Sequence, residues 1–352
     1  MSDVRPILRV VYRVVLLLVF PAFALGAISS IFLIPGLSMV ERSWFLAAAA
    51  CSAFFVLVLC VQSILIAQHR FVEIAWLQFV QPGVIAITVL VGWLLFHVSL
   101  QLLLVAYIAG TLVAALSSIL QVRVSFFGSR LSMKTLSVEG VRYAGSQIAE
   151  TASNTVVLLF AIVAMGAAQT GFLSVAITLA SLPLAGGYAI GSGVFKSVAS
   201  ATPAGLLYVR ALAVRTAAIG GMLVALLLVL VTPFIVPFLF GSEFEDAVIP
   251  AMALICFSPI VVVNYVATQV LGAEGRGGQM STWQILGAVL SVLGLFLFSP
   301  AFGALGGVFG VASGWLVTFC GTLFALRVGP SVLRFRVADI KASFDLCVKG
   351  KV

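Results

Sequence analysis

Long apolar runs, each close to the ~20 residues a helix needs to cross a bilayer core, alternate along this chain with short segments rich in charge, proline or glycine. Their placement predicts ten membrane-spanning helices, over 14–34, 45–67, 77–97, 100–120, 141–164, 171–198, 211–240, 247–273, 283–299 and 301–326. The expected fold class is all-α: a polytopic membrane protein. Beyond the last run, Leu333, Val337, Ile340, Phe344 and Val348 recur at helical spacing, with Arg334, Asp339, Lys341 and Asp345 around the rest of the wheel. Two readings of this tail stand side by side: an amphipathic helix on the inner leaflet, or a basic segment held near anionic lipid by charge.

Composition supports the spans. Of 352 residues, 62% are hydrophobic and 9% charged, whereas soluble domains are roughly half apolar and a quarter charged. The net charge of +8 is unevenly placed. With the N-terminus inside, the cytoplasmic segments hold Arg5, Arg9, Arg13, Arg70, Arg123, Arg130, Lys134, Arg142, Lys196, Arg210, Arg215, Arg276, Arg327, Arg334, Arg336, Lys341, Lys349 and Lys351, and only Arg42 falls outside. The longest outer cluster, Glu243, Glu245 and Asp246, is acidic. This bias of Lys and Arg sets the expected topology, with both ends cytoplasmic, and turns a high isoelectric point away from a nucleic-acid reading. The five cysteines form no CxxC pair, and four sit in apolar runs as small packing residues.

The chain also resembles itself. Residues 63–124 parallel 268–328, with Arg70 matching Arg276, Trp76 near Trp283 and Arg123 matching Arg327. If spans two to four repeat as eight to ten, span one pairs with seven, and five and six have no counterpart. The expected organisation is a four-helix bundle over 1–130, a six-helix bundle over 131–328 and a basic tail over 329–352, related by an incomplete internal repeat: a twelve-helix design lacking its first two helices.

The segment PFIVPFLFGSEFEDA, 233–247, resembles the "pf...p.lfG.ef..a" stretch of bacterial polysaccharide flippases of the multidrug/oligosaccharidyl-lipid/polysaccharide exporter superfamily. LGAEGRGGQMSTWQILGAVLSVLGLFLFSPAFGALGGVFGVASG is similar to that family's later helices, ILIAQHRF to its "lLqa.grf" loop, and GFLSVAITLASLPLAGGYAIGSGVFKSVAS to its eighth helix. The resemblance implies a transporter that moves a lipid-linked oligosaccharide of the undecaprenyl-pyrophosphate type across the bacterial inner membrane by alternating access, for polysaccharide or O-antigen synthesis. Membrane lipids, and a polysaccharide polymerase or glycosyltransferases, are the partners it suggests. The alternatives are a cation-coupled small-molecule exporter of the same superfamily, with Glu150 as coupling carboxylate, and a non-transporting or truncated subunit of a polysaccharide assembly system.

Polar groups within the spans are few. Tyr143, Gln147, Glu150 and Asn154 fall on one face of span five at i, i+4, i+7, i+11, a stripe that should not face lipid. It either lines a water-filled substrate cavity or forms a helix contact in which Glu150 is protonated or hydrogen-bonded. Span six offers Ser174, Thr178, Ser181, Tyr188 and Ser192, ending at Lys196. Lys196 and Arg142 either meet the pyrophosphate of a lipid carrier or snorkel at the inner interface. Pro21 and Pro183 lie inside spans, where each removes a backbone hydrogen bond and is expected to bend its helix, either as a gate or as a static kink. Gly303, Gly306, Gly307, Gly310 and Gly314, and separately Gly187 and Gly191, make small-residue faces for close packing. His69 and His97 build no metal cluster or triad, and GSGVFK lacks P-loop spacing, so neither enzymatic activity nor a cofactor is expected.

Overall fold

A computed structural model describes residues 5–32, 34, 36–68, 70–95, 99–122, 156–199 and 205–329. Among them every regular element is a helix, and nine helical stretches are long and apolar enough to cross a membrane. The chain divides into two compact units, Met1–Ser137 and Val138–Val352.

The first unit contains α1 (Arg5–Phe32), α2 (Met39–Ala67), α3 (Phe71–Leu95) and α4 (Leu100–Val122). α2 opens on a capping box: Ser38 Oγ accepts the Glu41 N–H at 3.3 Å, and Glu41 Oε2 accepts the Ser38 N–H at 2.9 Å. α1 packs on α2, α3 on α4, and α2 on α4. Their shared interior holds Tyr12, Leu57, Val61, Leu65, Leu77 and Ala114. Small residues set the α3–α4 distance: a Cβ on Gly110 would lie 2.9 Å from the Gln81 carbonyl oxygen, and Gln81 Nε2 donates to Thr111 Oγ1 at 3.0 Å. α1 runs on through Pro21 and α3 through Pro82.

The second unit contains α5 (Val157–Ser181), α6 (Leu184–Ala199), α7 (Leu206–Phe240), a 3-10 turn (Ser242–Ala247), α8 (Val248–Ala273), α9 (Gly277–Phe302) and α10 (Ala304–Leu326). α8 is its hub, packing against α5, α6, α7 and α10 and burying Leu254, Ile255, Val262, Val266, Val270 and Leu271. α9 and α10 meet backbone to backbone at glycines: a Cβ on Gly294 would lie 2.9 Å from Gly310 Cα, and one on Gly287 2.7 Å from the Gly314 carbonyl oxygen. Outward faces are apolar, as along α7 at Leu223, Leu226, Leu227, Leu230, Phe234 and Phe238. Lipid is the solvent that suits them. The chain is a multi-pass membrane protein.

The structure departs from the predicted spans at the fifth and sixth. The connection expected between Ala164 and Gly171 shrinks to one residue, Gly166, whose φ of 79° and ψ of 172° break the helical path inside α5. A side chain rarely adopts that backbone and glycine adopts it freely. Conversely, span six, expected as one helix over 171–198 with a bend at Pro183, is divided at Leu182–Pro183. Proline has no N–H to continue the ladder, so α5 ends before it and α6 begins after it.

Two turns in different units are built alike. At the end of α2 the Arg70 N–H donates to Leu65 O at 3.0 Å and Ile74 N–H to Arg70 O at 3.2 Å; at the end of α8 the Arg276 N–H donates to Leu271 O at 2.9 Å and Met280 N–H to Arg276 O at 3.2 Å. Each arginine also reaches the last turn of a later helix in its own unit: Arg70 Nη2 donates to Gln121 O at 3.5 Å, Arg276 Nη2 to Ala325 O at 2.5 Å. The two arginines matched in the sequence thus occupy the same kind of helix end, each in its own unit.

Candidate functional site

Of the residues singled out in the sequence, Arg142, Tyr143, Gln147, Glu150 and Asn154 lie outside the described residues, as do His69, His97 and the tail beyond Gly329. Lys196 and Ser192 are placed on α6, with their side chains outside the described atoms. The rest of the span-six face can be followed. On α5, Leu173, Ala176, Ile177, Leu179 and Ala180 are buried, while Ser174 is partly exposed and Thr178 and Ser181 are exposed; on α6, Tyr188 is 43% exposed. These four form one open stripe, continued across the Pro183 break. Tyr188 stands edge-on to Tyr265 of α8 with ring centroids 4.7 Å apart, and a Cβ on Gly191 would lie 2.7 Å from the Tyr265 ring. The expected small face at Gly187 and Gly191 is thus what lets α6 lie against α8.

Two hydroxyls of the stripe, those of Thr178 and Ser181, turn back on their own helix. Thr178 Oγ1 donates to Ser174 O at 2.8 Å and Ser181 Oγ to Thr178 O at 2.7 Å. Their protons are placed without water, while their lone pairs stay open to a donor. The stripe can accept hydrogen bonds from a hydroxyl-rich ligand.

A second polar centre, which the sequence reading missed, joins three helix ends of the second unit. Arg210, near the start of α7, donates from Nε to Glu274 Oε1 at 2.6 Å, from Nη2 to Glu274 Oε2 at 2.7 Å and from Nη1 to Leu326 O at 3.0 Å. Arg276 Nη1 adds a contact to Glu274 Oε2 at 3.2 Å and its Nη2 also meets Gln279 Oε1. The planar fork of Arg210 fits the carboxylate in the bidentate geometry that strengthens such pairs. Side chains here are largely buried, 9% exposed for Glu274 and 14% for Arg210. Arg327 closes α10 in the left-handed region, φ 55°, with its N–H on Phe324 O at 3.0 Å. Arg210, Glu274, Arg276, Gln279 and Arg327 line a cleft of about 330 Å³. In sequence, an acid two residues before a repeat-matched arginine in an acid-poor chain was the available signal; its partner, 64 residues away, was not.

The opposite end of the unit is acidic. Gln169, just after the Gly166 break, accepts the Ala304 N–H at 2.8 Å, and Phe172 stacks edge-on with Phe244 at 5.9 Å. The break therefore shares one end with the α9–α10 turn and the Ser242–Ala247 segment that carries Glu243, Glu245 and Asp246.

No protein-family model matches the sequence, and no curated protein matches it either. Solved structures do. A lipid II flippase, MurJ, in an inward closed conformation superposes with a TM-score of 0.70 at 15% identity, over 99% of this chain and 76% of that one. A MATE transporter in complex with MaL6 gives 0.64 at 14% identity, over 89% and 78%. The outward-facing conformation of a multidrug resistance MATE family transporter of the MOP superfamily gives 0.63 at 14%, over 91% and 77%. At such identities the likeness is one of fold, and the fold of this chain is the one these membrane transporters share.

Proposed function

We propose that this protein is a flippase that carries a lipid-linked oligosaccharide, of the undecaprenyl-pyrophosphate type, from the inner to the outer leaflet of the bacterial inner membrane by alternating access, serving polysaccharide or O-antigen synthesis. The observation that carries this reading is the superposition on a lipid II flippase over 99% of the chain. The second unit supports the topology, with Arg210, Arg276 and Arg327 at one end and Glu243, Glu245 and Asp246 at the other; the positive end faces the cytoplasm, and both chain ends lie inside. In this reading Tyr143, Gln147, Glu150 and Asn154 line the path with the Ser174–Thr178–Ser181–Tyr188 stripe, in which the Thr178 and Ser181 oxygens accept sugar hydroxyls. Arg142 and Lys196 take the pyrophosphate as charge-assisted hydrogen bonds.

The test is complementation of a bacterial strain lacking its polysaccharide flippase. Wild type restores surface polysaccharide, while Glu150→Ala and Arg142→Ala, inserted at equal levels, restore little. A well-inserted wild-type chain that restores nothing overturns the proposal. The likeness to MATE transporters favours a second reading, cation-coupled export of small molecules with Glu150 as coupling carboxylate. Raised drug resistance in an exporter-deficient strain, lost in Glu150→Gln and absent when the cation gradient is collapsed, would select it.

A further inference from the structure

The cleft at the buried Arg210–Glu274 pair opens into a larger one, about 710 Å³, lined by Arg276, Gly278, Gln279, Thr282, Trp283, Phe324, Ala325 and Arg327. Arg276, Gln279 and Arg327 belong to both. Among the described residues the charge there is not balanced. Three guanidinium groups face one carboxylate, and Arg210 commits both arms of its fork to it. Arg276 is spread over Glu274, Gln279 and the Ala325 carbonyl. The Arg327 side chain makes no hydrogen bond or ion pair among the described residues, and it is exposed. Gln279 gives its carbonyl oxygen to Arg276, which leaves its amide N–H groups for a ligand.

The other wall is apolar. The Trp283 ring lies against the Gly321 backbone, Phe324 is 78% exposed one turn along α10, and Ile285 and Leu286 continue the exposed surface of α9. A tryptophan beside unbalanced cations at a helix end, continuous with a lipid-facing apolar surface, matches a molecule with a negative head and a hydrocarbon tail. A soluble anion would use the cations and leave the aromatic wall idle. We propose that this cleft binds the headgroup of an anionic phospholipid, with Arg327 and the Gln279 amide on its phosphate and Trp283 and Phe324 against its glycerol and upper acyl chain.

The corresponding turn of the first unit is differently charged. Where Arg276 meets Gln279, Arg70 meets Glu73, its Nε 3.0 Å from Glu73 Oε1. Gln279→Glu therefore converts the second turn to the neutralised pattern of the first. The experiment uses the full chain, purified in neutral detergent and titrated by native mass spectrometry with phosphatidylglycerol, with phosphatidylcholine of the same acyl chains, and with inorganic phosphate as competitor. Arg327→Asn removes the charge while placing a residue at ease in the left-handed region, and should weaken phosphatidylglycerol binding about fivefold with phosphatidylcholine unchanged. Gln279→Glu should do the same, and Arg327→Lys should stay within about twofold of wild type, since it keeps the point charge. Equal phosphatidylglycerol affinity in wild type, Arg327→Asn and Gln279→Glu overturns the proposal. So does displacement of the lipid by millimolar inorganic phosphate, which would assign the cleft to a free anion.

Discussion

Glu274 stands between two guanidinium groups, with both carboxylate oxygens engaged and little contact with solvent. Its removal leaves two cations facing each other in a poorly hydrated place, so Glu274→Ala should destabilise the second unit by about 3 kcal/mol, toward the lower end for broken buried pairs. The check is the midpoint of thermal unfolding in detergent; a midpoint equal to wild type would mean that water already screens the pair. At Arg327 the backbone sign is reversed. A left-handed residue with a Cβ costs about 1 kcal/mol, so Arg327→Gly should unfold at or above the wild-type temperature. Little of this was legible in the sequence, which marks Arg210, Arg276 and Arg327 as inner-side charges but cannot say that a carboxylate 64 residues from Arg210 lies in hydrogen-bond contact with it. Pairing across that separation is a product of helix packing.

Helix α10 shows how an element finds its place without a hydrophobic driving force. In lipid, apolar side chains gain little by leaving one greasy environment for another, so close backbone approach supplies the attraction. A Cβ on Gly310 would lie 2.8 Å from Leu295 Cα and 2.9 Å from Gly294 C, backbone atoms that cannot step aside. Gly310→Ala should therefore cost about 1–3 kcal/mol, the range for overpacked interiors. Gly278→Ala, with nothing within 4 Å of the added methyl, should be neutral. Paired thermal melts decide this, and equal midpoints would show that α9 and α10 separate cheaply. The sequence did reveal the Gly306, Gly310 and Gly314 face, because small residues at a spacing of four are visible in one strand of text. It did not reveal the receiving groove at Gly287, Ser291 and Gly294, since any glycine-bearing helix was a candidate. Likewise Pro183 was read as a bend within one helix and Gly166 as part of a loop. Hydropathy averages over about 19 residues and is blind to a break one or two residues wide.

At the scale of the whole molecule, the second unit carries a charge asymmetry that can be measured in living cells. In a chain whose five native cysteines are replaced, Glu243→Cys should react with a membrane-impermeant maleimide from outside, and Gln279→Cys only after the membrane is opened. The reverse pattern would invert the proposed topology. Long apolar runs made the membrane class and most helix positions plain from sequence, because a bilayer imposes one length and one polarity on everything that crosses it. A substrate leaves no such uniform mark. The stripe of Thr178 and Ser181 bears on that point. A hydroxyl proton stranded without an acceptor when a cleft dries costs about 1–3 kcal/mol, and these two have none to strand, since each proton already rests on a carbonyl of its own helix. Such a surface crosses between wet and dry with a low switching penalty: it offers acceptors when water or a sugar is present, and in hydrocarbon it behaves almost as alanine would.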